Sequence, residues 1–125
     1  MPQQTAELSH PAFTTLLAFA DHTLAGFVQL RAGRPPACIT GARPLELLRF
    51  YVAREWHGRG VAQELMEAAR TAARSRGAGT LWLGVWERNP RARAFYGKSG
   101  FRDVGSQIFL LGTDEQTDRV MELGL

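Results

Sequence analysis

The fold of this chain is decided by the stretch Val52-Ala53-Arg54-Glu55-Trp56-His57-Gly58-Arg59-Gly60-Val61-Ala62. The apolar residues that precede it, from Leu45 to Val52, predict a strand, and the good helix formers that follow, from Val61 to Arg76, predict a helix. A helix N-terminus has unpaired N–H groups and partial positive charge, so it attracts phosphate. The glycines predict either a phosphate-binding turn or an ordinary strand–helix turn, and this stretch alone does not choose between the two.

A second informative segment runs Asn89-Pro90-Arg91-Ala92-Arg93-Ala94-Phe95-Tyr96-Gly97-Lys98-Ser99-Gly100-Phe101. Asn89 suits a helix cap, and Pro90 stands where no N–H is needed, so we predict a helix to about Lys98. Ala92 and Tyr96 are one helical turn apart and are expected to face the same cleft. A core position is the alternative for Tyr96, because aromatic side chains are commonly buried.

Outside these segments the pattern is mostly that of strands. Apolar and β-branched runs predict a hairpin with a turn at Asp21-His22 and further strands after the first helix. The predicted strands are Thr14–Ala20, Leu24–Leu30, Leu45–Val52, Thr80–Trp86, Phe101–Leu111 with an irregularity at Gly105, and a short Arg119–Leu123. Strands alternating with helices between residues 45 and 111 predict an α/β fold, with a mixed, partly parallel central sheet flanked by helices.

Length and composition bound the kind of protein. With 125 residues, 45% of them hydrophobic and 22% charged, the chain is expected to form one globular domain over residues 1–125. The single Cys38 excludes an internal disulfide and a multi-cysteine metal site, so no metal is expected. No run approaches the roughly twenty apolar residues of a membrane span, and the N-terminus does not resemble a signal peptide. We therefore expect a cytoplasmic protein with no membrane partner.

The charge is unevenly distributed along the chain. Residues 49–102 carry eleven basic and four acidic residues, a net charge of +7, whereas residues 103–125 carry one basic and five acidic residues. The middle therefore suits an anionic ligand and the tail could suit a cationic one. Nucleic acid is not the expected partner, because the basic segment lacks interleaved aromatic residues on which bases would stack.

Taken together, the two segments resemble the GNAT superfamily of acyl-CoA-dependent N-acetyltransferases. His57-Gly58-Arg59-Gly60-Val61-Ala62 is similar to that family's Arg/Gln-x-x-Gly-x-Gly/Ala loop, with His57 in the place of Arg or Gln. Asn89, Ala92, Tyr96, Lys98 and Gly100-Phe101 match its second segment in order and spacing. Leu81–Glu87 and a set of tail residues resemble, more narrowly, bacterial polyamine N-acetyltransferases of the PaiA type, the tail residues being Phe109, Gly112, Gln116, Thr117, Asp118 and Met121.

The resemblance implies a role for each matching residue. It implies acetyl-CoA as cosubstrate, with backbone groups of Phe50, Tyr51 and Val52 along the pantetheine arm. The turn would hold the pyrophosphate, through residues His57, Gly58, Arg59, Gly60, Val61 and Ala62. Asn89 would lie near the pantetheine end, Tyr96 near the thioester sulfur, and Lys98 near the outer phosphates.

Transfer of an acetyl group to a primary amine has its own requirements. An alkyl ammonium is not a nucleophile, so a base must take its proton, and the leaving thiolate must regain one. Tyr96 is the candidate acid, and Glu46 or Glu87 the candidate base, with a water chain or an ordinary solvated carboxylate as the alternatives.

The resemblance also implies a departure at the start of the chain. Members of that family usually have a strand and two helices before the hairpin that begins here near Thr14, so an N-terminally shortened domain is expected. A second copy of the chain, forming a homodimer, could cover the edge so exposed. The expected acceptor is a small amine, with a polyamine as the narrower hypothesis. A protein N-terminus or lysine, another small amine, and a non-catalytic acyl-CoA-binding module remain the alternatives.

Overall fold

A seven-stranded sheet forms the centre of the molecule. The computed structural model describes residues 3–10 and 13–125. Its strands are β1 (Gln3–His10), β2 (Phe13–Ala20), β3 (Thr23–Arg31), β4 (Pro44–Val52), β5 (Thr80–Trp86), β6 (Arg102–Leu111) and β7 (Asp114–Gly124), with helices α1 (Val61–Ser75) and α2 (Pro90–Lys98). The strand order is β1-β2-β3-β4-β5-β7-β6; β4 and β5 run parallel, and the other neighbours run antiparallel. The predicted α/β fold with a partly parallel sheet is confirmed.

Two boundaries differ from the predictions. β1 is a strand before residue 14, where the resemblance implied that both strand and helices would be missing; it pairs antiparallel with β2 over its full length. Its polar sequence carries little strand signal, and the free edge of β2 supplies its ladder partners. β7 is also longer than the predicted Arg119–Leu123, because hairpin pairing with β6 extends its polar first half.

Local signals are confirmed elsewhere. Asp21 and His22 both adopt positive φ, of 51° and 62°, and close the two-residue turn between β2 and β3. The register of β6 on β7 shifts between Asp103 and Gly105, at the predicted irregularity.

The hydrophobic core lies between the sheet and the two helices. The predicted apolar stripe of α1 is buried, with Val61 at 1%, Leu65 and Ala69 at 0%, and Ala72 at 8% exposure. α1 packs on β2, β3 and β4. α2 joins the same core through Phe95 and Tyr96. Both helices therefore cover one face of the sheet, which we call the helix face.

A bulge in β4 decides which residues reach each face. Leu30 pairs with Leu47 and Gln29 with Arg49, so Leu48 is an extra residue in the ladder. The bulge interrupts the ordinary alternation of side chains. Leu47 and Phe50 consequently both belong to the core on the helix face, whereas Glu46 and Arg49 line a pocket on the opposite face.

The loop between β3 and β4 crosses the far end of that opposite face. A Cβ placed on Gly41 would lie 2.2 Å from Thr80 Oγ1, and one on Gly105 would lie 2.9 Å from the Cβ of Cys38. These close approaches seat the loop against β5, β6 and β7. In the part of the chain that the structure describes, neither helix lies on this side, which we call the loop face.

Candidate acyl-CoA and acceptor site

The site begins where β4 and β5 separate. The two strands pair only through Pro44–Glu46 and Thr80–Trp82. From Leu47 onward β4 pairs with β3, and from Leu83 onward β5 pairs with β7, so within residues 13–125 a gap opens between them. Parallel strands that diverge leave backbone donors and acceptors at the gap, and ligands of open α/β sheets bind at such carboxyl ends.

Backbone groups of β4 point into this gap. The Ala53 N–H donates to the Ala25 carbonyl at 2.7 Å, which continues the ladder between β4 and β3. Because antiparallel bonding alternates, Tyr51 directs its backbone groups to β3, whereas Phe50 and Val52 direct theirs toward the gap. The Tyr51 side chain lies on the loop face, 51% exposed and 5.6 Å from the Phe27 ring.

The turn after β4 is held by a histidine. A single 3-10 turn spans Arg54–Trp56, and His57 follows it in extended conformation. His57 Nε2 lies 2.8 Å from the Val52 carbonyl oxygen and donates to it in the tautomer that protonates Nε2. His57 therefore closes the loop onto the end of β4.

Helix α1 begins with free amides. Gly58 and Gly60 have φ of 73° and 83°, a conformation that side chains rarely adopt. No side chain of a described residue caps the helix, and the Glu64 N–H donates to the Gly60 carbonyl at 3.1 Å as the first helical bond. The preceding N–H groups of residues 61–63 have no acceptor within the helix, and such groups are available to an anion.

Two arginines and a tryptophan flank these amides. The Arg59 guanidinium lies over the Trp56 ring, 5.6 Å from its centroid. Arg91 lies in the first turn of α2 and lines the pocket, described below, that these amides border; Arg59 does not line it. Trp56 Nε1 is buried, and no described residue accepts a hydrogen bond from it. Donors and positive charge thus surround the start of α1, which fits a pyrophosphate.

These elements enclose the first pocket, of about 620 Å³, on the helix face. Its walls come from the end of β4, the turn, the start of α1 and α2. They are Phe50, Val52, Trp56, His57, Gly58, Gly60, Ala62, Gln63, Asn89, Arg91, Ala92, Phe95 and Tyr96. Ala92 and Tyr96 both line it, as their spacing predicted.

Tyr96 lines this pocket and packs against three other aromatic rings. Its ring contacts Phe50, Phe95 and Phe101 with centroid distances of 6.2, 5.5 and 5.8 Å. Burial raises the pKa of the Tyr96 hydroxyl to about 12, since desolvation disfavours the phenolate. The phenol therefore keeps its proton throughout the neutral range and is a hydrogen-bond donor there.

Asn89 serves two purposes. Its Oδ1 accepts the Ala92 N–H at 3.1 Å and caps α2, as predicted, and the residue also lines the pocket. Arg93 donates to the Glu87 carbonyl at 3.1 Å, which fixes the approach to the helix. The Glu87 side chain is exposed and lines neither this pocket nor the one on the loop face.

A second pocket of about 620 Å³ opens on the loop face. Glu46 is one of its walls, and both Arg31 Nε and Nη2 contact its Oε1, at 2.8 and 2.7 Å. No described residue forms a hydrogen bond or an ion pair with Glu46 Oε2. Tyr96 and Glu46 are therefore on opposite sides of the sheet, at the two mouths of the gap between β4 and β5.

Some sequence predictions fall outside the first pocket. Lys98, at the end of α2, is exposed and does not line it. Val61 is buried in the core through its side chain. Sequence reasoning missed four lining residues: Trp56, Gln63, Arg91 and Phe95. Trp56 and Arg91 lie inside the two quoted segments, so their positions beside the motif residues were the available signal.

The acidic residues of the tail are separated from one another. Asp114 and Glu115 are exposed near the hairpin turn between β6 and β7. Asp118 is 8% exposed and lines the second pocket, while Glu122 is 6% exposed and has Arg102 3.9 Å away. The described residues hold no group of three or more metal-ligating side chains. No helix in the described ranges is long and apolar enough to cross a bilayer.

Two proteins described as N-acetyltransferases are similar to this chain in sequence. The chain is 35% identical over 114 residues to an uncharacterized N-acetyltransferase of Mycobacterium bovis, covering 91% of this chain and 69% of that one. It is 30% identical over 119 residues to another from Lactobacillus delbrueckii subsp. lactis, covering 95% and 69%.

Solved structures share the fold. The PaiA N-acetyltransferase of Thermoplasma acidophilum in complex with coenzyme A is 28% identical with a TM-score of 0.71, covering 91% of this chain and 62% of that chain. Nourseothricin acetyltransferase is 33% identical with a TM-score of 0.76, covering 91% and 66%. This chain therefore spans slightly less than two thirds of those two structures. The family model described as "Acetyltransferase (GNAT) family" matches residues 1–101, and the chain belongs to that family.

Proposed function

We propose that this chain transfers an acetyl group from acetyl-CoA to a primary amine by direct attack. The observation that carries the proposal is the gap between β4 and β5, with one pocket on each face of the sheet. A thioester entering from the helix face and an amine entering from the loop face would meet in the gap. The relative from Thermoplasma acidophilum, described in complex with coenzyme A, supports the choice of cosubstrate.

The first pocket suits coenzyme A along its length. The free amides at the start of α1, with Arg59 and Arg91 nearby, would bind the pyrophosphate. The backbone groups of Phe50 and Val52 would pair with the pantetheine amides as an added strand would. The acyl end would then lie near Tyr96.

The base, Glu46, lies on the loop face, and the hydrogen-bond donor to the leaving sulfur, Tyr96, lies on the helix face. Glu46 Oε2 takes one proton from the acceptor ammonium, directly or through water. The neutral nitrogen then bonds to the acetyl carbon, the carbon–sulfur bond breaks, and the nitrogen's second proton passes to water. Tyr96 donates a hydrogen bond to the departing sulfur. Full transfer from a phenol of pKa about 12 to a thiolate with a cysteine-like pKa of about 8.5 would cost about 5 kcal/mol. Tyr96 therefore stabilises the departing thiolate as a hydrogen-bond donor and keeps its own proton, and the thiolate takes a proton from water.

The polyamine hypothesis is the narrower form of this proposal. It is supported by the resemblance of the tail and by the PaiA relative at 28% identity. The separation of Asp114 and Glu115 from Asp118 and Glu122 weakens it, because the four carboxylates do not form one surface for a polycation. The nourseothricin acetyltransferase, at 33% identity, is named for another acceptor.

The test is release of thiol from acetyl-CoA near pH 8 with a panel of amines that includes spermidine and spermine. Turnover with any primary amine supports the proposal, and turnover with polyamines alone supports the narrower form. Calorimetric binding of acetyl-CoA is measured in parallel. Binding without turnover of any amine contradicts the enzyme and favours an acyl-CoA-binding module.

A further inference from the structure

The second pocket has a charge pattern that bears on the acceptor. It is lined by Arg31, Arg34, Glu46, Arg49 and Asp118, together with apolar and polar residues of the loop, β5 and β6. Arg31 and Glu46 form an ion pair and neutralise each other. With Glu46 assigned as the base, two guanidinium groups and one carboxylate are left to bind the rest of a ligand.

The remaining carboxylate belongs to Asp118 on β7, which is separated from the gap by β5. Asp118 is 8% exposed, and its Oδ1 accepts a hydrogen bond from Gln116 Nε2 at 3.0 Å. A Cβ placed on Gly84 of β5 would lie 3.3 Å from Asp118 Oδ2 and 2.8 Å from Gln107 Nε2. Because Gly84 has no side chain, Asp118 Oδ2 and Gln107 Nε2 pack directly over β5, the strand that forms one edge of the gap.

The two remaining guanidinium groups lie on other walls of the pocket. Arg34 is exposed on the loop after β3 and has no carboxylate partner among the described residues. Arg49, exposed on β4, donates from Nη1 to Gln29 Oε1 at 3.1 Å, a neutral partner. Neither guanidinium group is paired with a carboxylate of the described residues, and their N–H donors suit a carboxylate or phosphate.

We propose that the acceptor is a small amine that also carries an acidic group. Its ammonium group binds in the second pocket against Asp118, and its acidic group binds Arg34 and Arg49. This inference rests on the proposed function, since it names the substrate class of that site. A polyamine would place further positive charge beside two unpaired guanidinium groups, so the pocket selects against it.

The experiment compares three acceptors of equal length that differ only at the far end. They are 5-aminopentanoate, pentylamine and 1,5-diaminopentane, which end in a carboxylate, a methyl group and an ammonium group. A fourth, 4-aminobutylphosphonate, distinguishes a carboxylate from a phosphate-like group. The readout is kcat/KM for thiol release. We expect the acid-bearing amines to exceed pentylamine by about tenfold, the effect of one or two charge-assisted hydrogen bonds, and 1,5-diaminopentane to be the poorest.

Variants locate the preference. Arg34→Gln and Arg49→Gln are exposed changes, and each should lower the ratio of kcat/KM between 5-aminopentanoate and pentylamine several-fold. Asp118→Asn should raise KM for every amine. Because Asp118 is buried, the thermal unfolding and acetyl-CoA affinity of the Asp118→Asn variant are measured together with KM, so that a loss of folding is recognised. Arg74→Gln, at an exposed position of α1 outside both pockets, is the matched control and should preserve the ratio.

The possible results separate the two proposals. Equal or better turnover of pentylamine or 1,5-diaminopentane overturns the acidic-amine inference and leaves the acetyltransferase proposal intact. A preference for acid that survives both arginine changes overturns the assignment to this pocket. Acetyl-CoA binding with no turnover of any amine overturns the proposed function, and the inference with it.

Discussion

The two faces of the sheet differ in how their residues are brought together. On the helix face, the first pocket is built from two continuous segments, residues 50–63 and 89–96, each a strand end or turn leading into a helix. On the loop face, the second pocket draws on β3, the following loop, β4, β5, β6 and β7. The first face carries the packed core and the pocket proposed for acetyl-CoA, whereas the second carries the pocket proposed for the acceptor.

The largest contrast is expected in stability. Leu65 is fully buried between α1 and the sheet, so Leu65→Ala should lower the free energy of unfolding by 2–5 kcal/mol, about the usual cost of a core cavity. Tyr51 is 51% exposed on the loop face, so Tyr51→Ala should lower the free energy of unfolding by less than about 1 kcal/mol. Urea unfolding measures both. Equal losses would contradict the assignment of the core to the helix face alone.

Tyr96→Phe tests the division of chemistry between the faces. Removing the hydroxyl should lower kcat by about a hundredfold, in the usual range for a lost hydrogen-bond donor to developing negative charge, and leave the acetyl-CoA Kd nearly unchanged. Stopped-flow thiol release and calorimetry give the two numbers. An unchanged kcat would show that the sulfur leaves without help from the helix face.

The same tyrosine makes the free energy of unfolding depend on pH. Burial raises the pKa of Tyr96 from 10.0 to about 12, so between those pH values the folded state keeps a proton that the unfolded chain loses. Its contribution to stability, about 2 to 3 kcal/mol, is therefore complete below pH 10 and lost as pH rises through 12. Urea unfolding between pH 9 and 12 should show this loss in the wild type. The loss should be smaller in Tyr96→Phe. Identical plots of unfolding free energy against pH for the two proteins would refute the role of Tyr96.

A smaller effect separates two glycines of the helix face. Gly60, with φ of 83°, precedes α1, whereas Gly97 lies within α2 without a positive φ; neither has an atom near its Cβ direction. Gly60→Ala should cost about 1–2 kcal/mol through left-handed strain and weaken acetyl-CoA binding. Gly97→Ala should stabilise the helix by up to about 1 kcal/mol. Thermal unfolding distinguishes them, and equal shifts would show that the turn does not depend on φ.

Sequence reasoning succeeded where neighbours in the chain are neighbours in space. The turn after Val52, the capped start of α2 and the Ala92–Tyr96 pair follow from spacing within one or two helical turns. It failed for β1, whose residues have little strand preference, and for the first half of β7, because both depend on a partner strand. It also grouped Asp118 and Glu122 with Asp114 and Glu115 as one acidic cluster, whereas burial separates them.

By itself the sequence determined the order of strands and helices from β2 onward, the glycine turn and the chemical character of the first pocket, because these depend on short-range spacing and propensity. Only the tertiary structure decided that Glu46 and Tyr96 lie on opposite faces. The reason is the bulge at Leu48 together with the separation of β4 from β5, neither of which has a local signal. The same register placed Asp118, Arg34 and Arg49 around one pocket, and that juxtaposition comes from pairing between segments far apart in the chain.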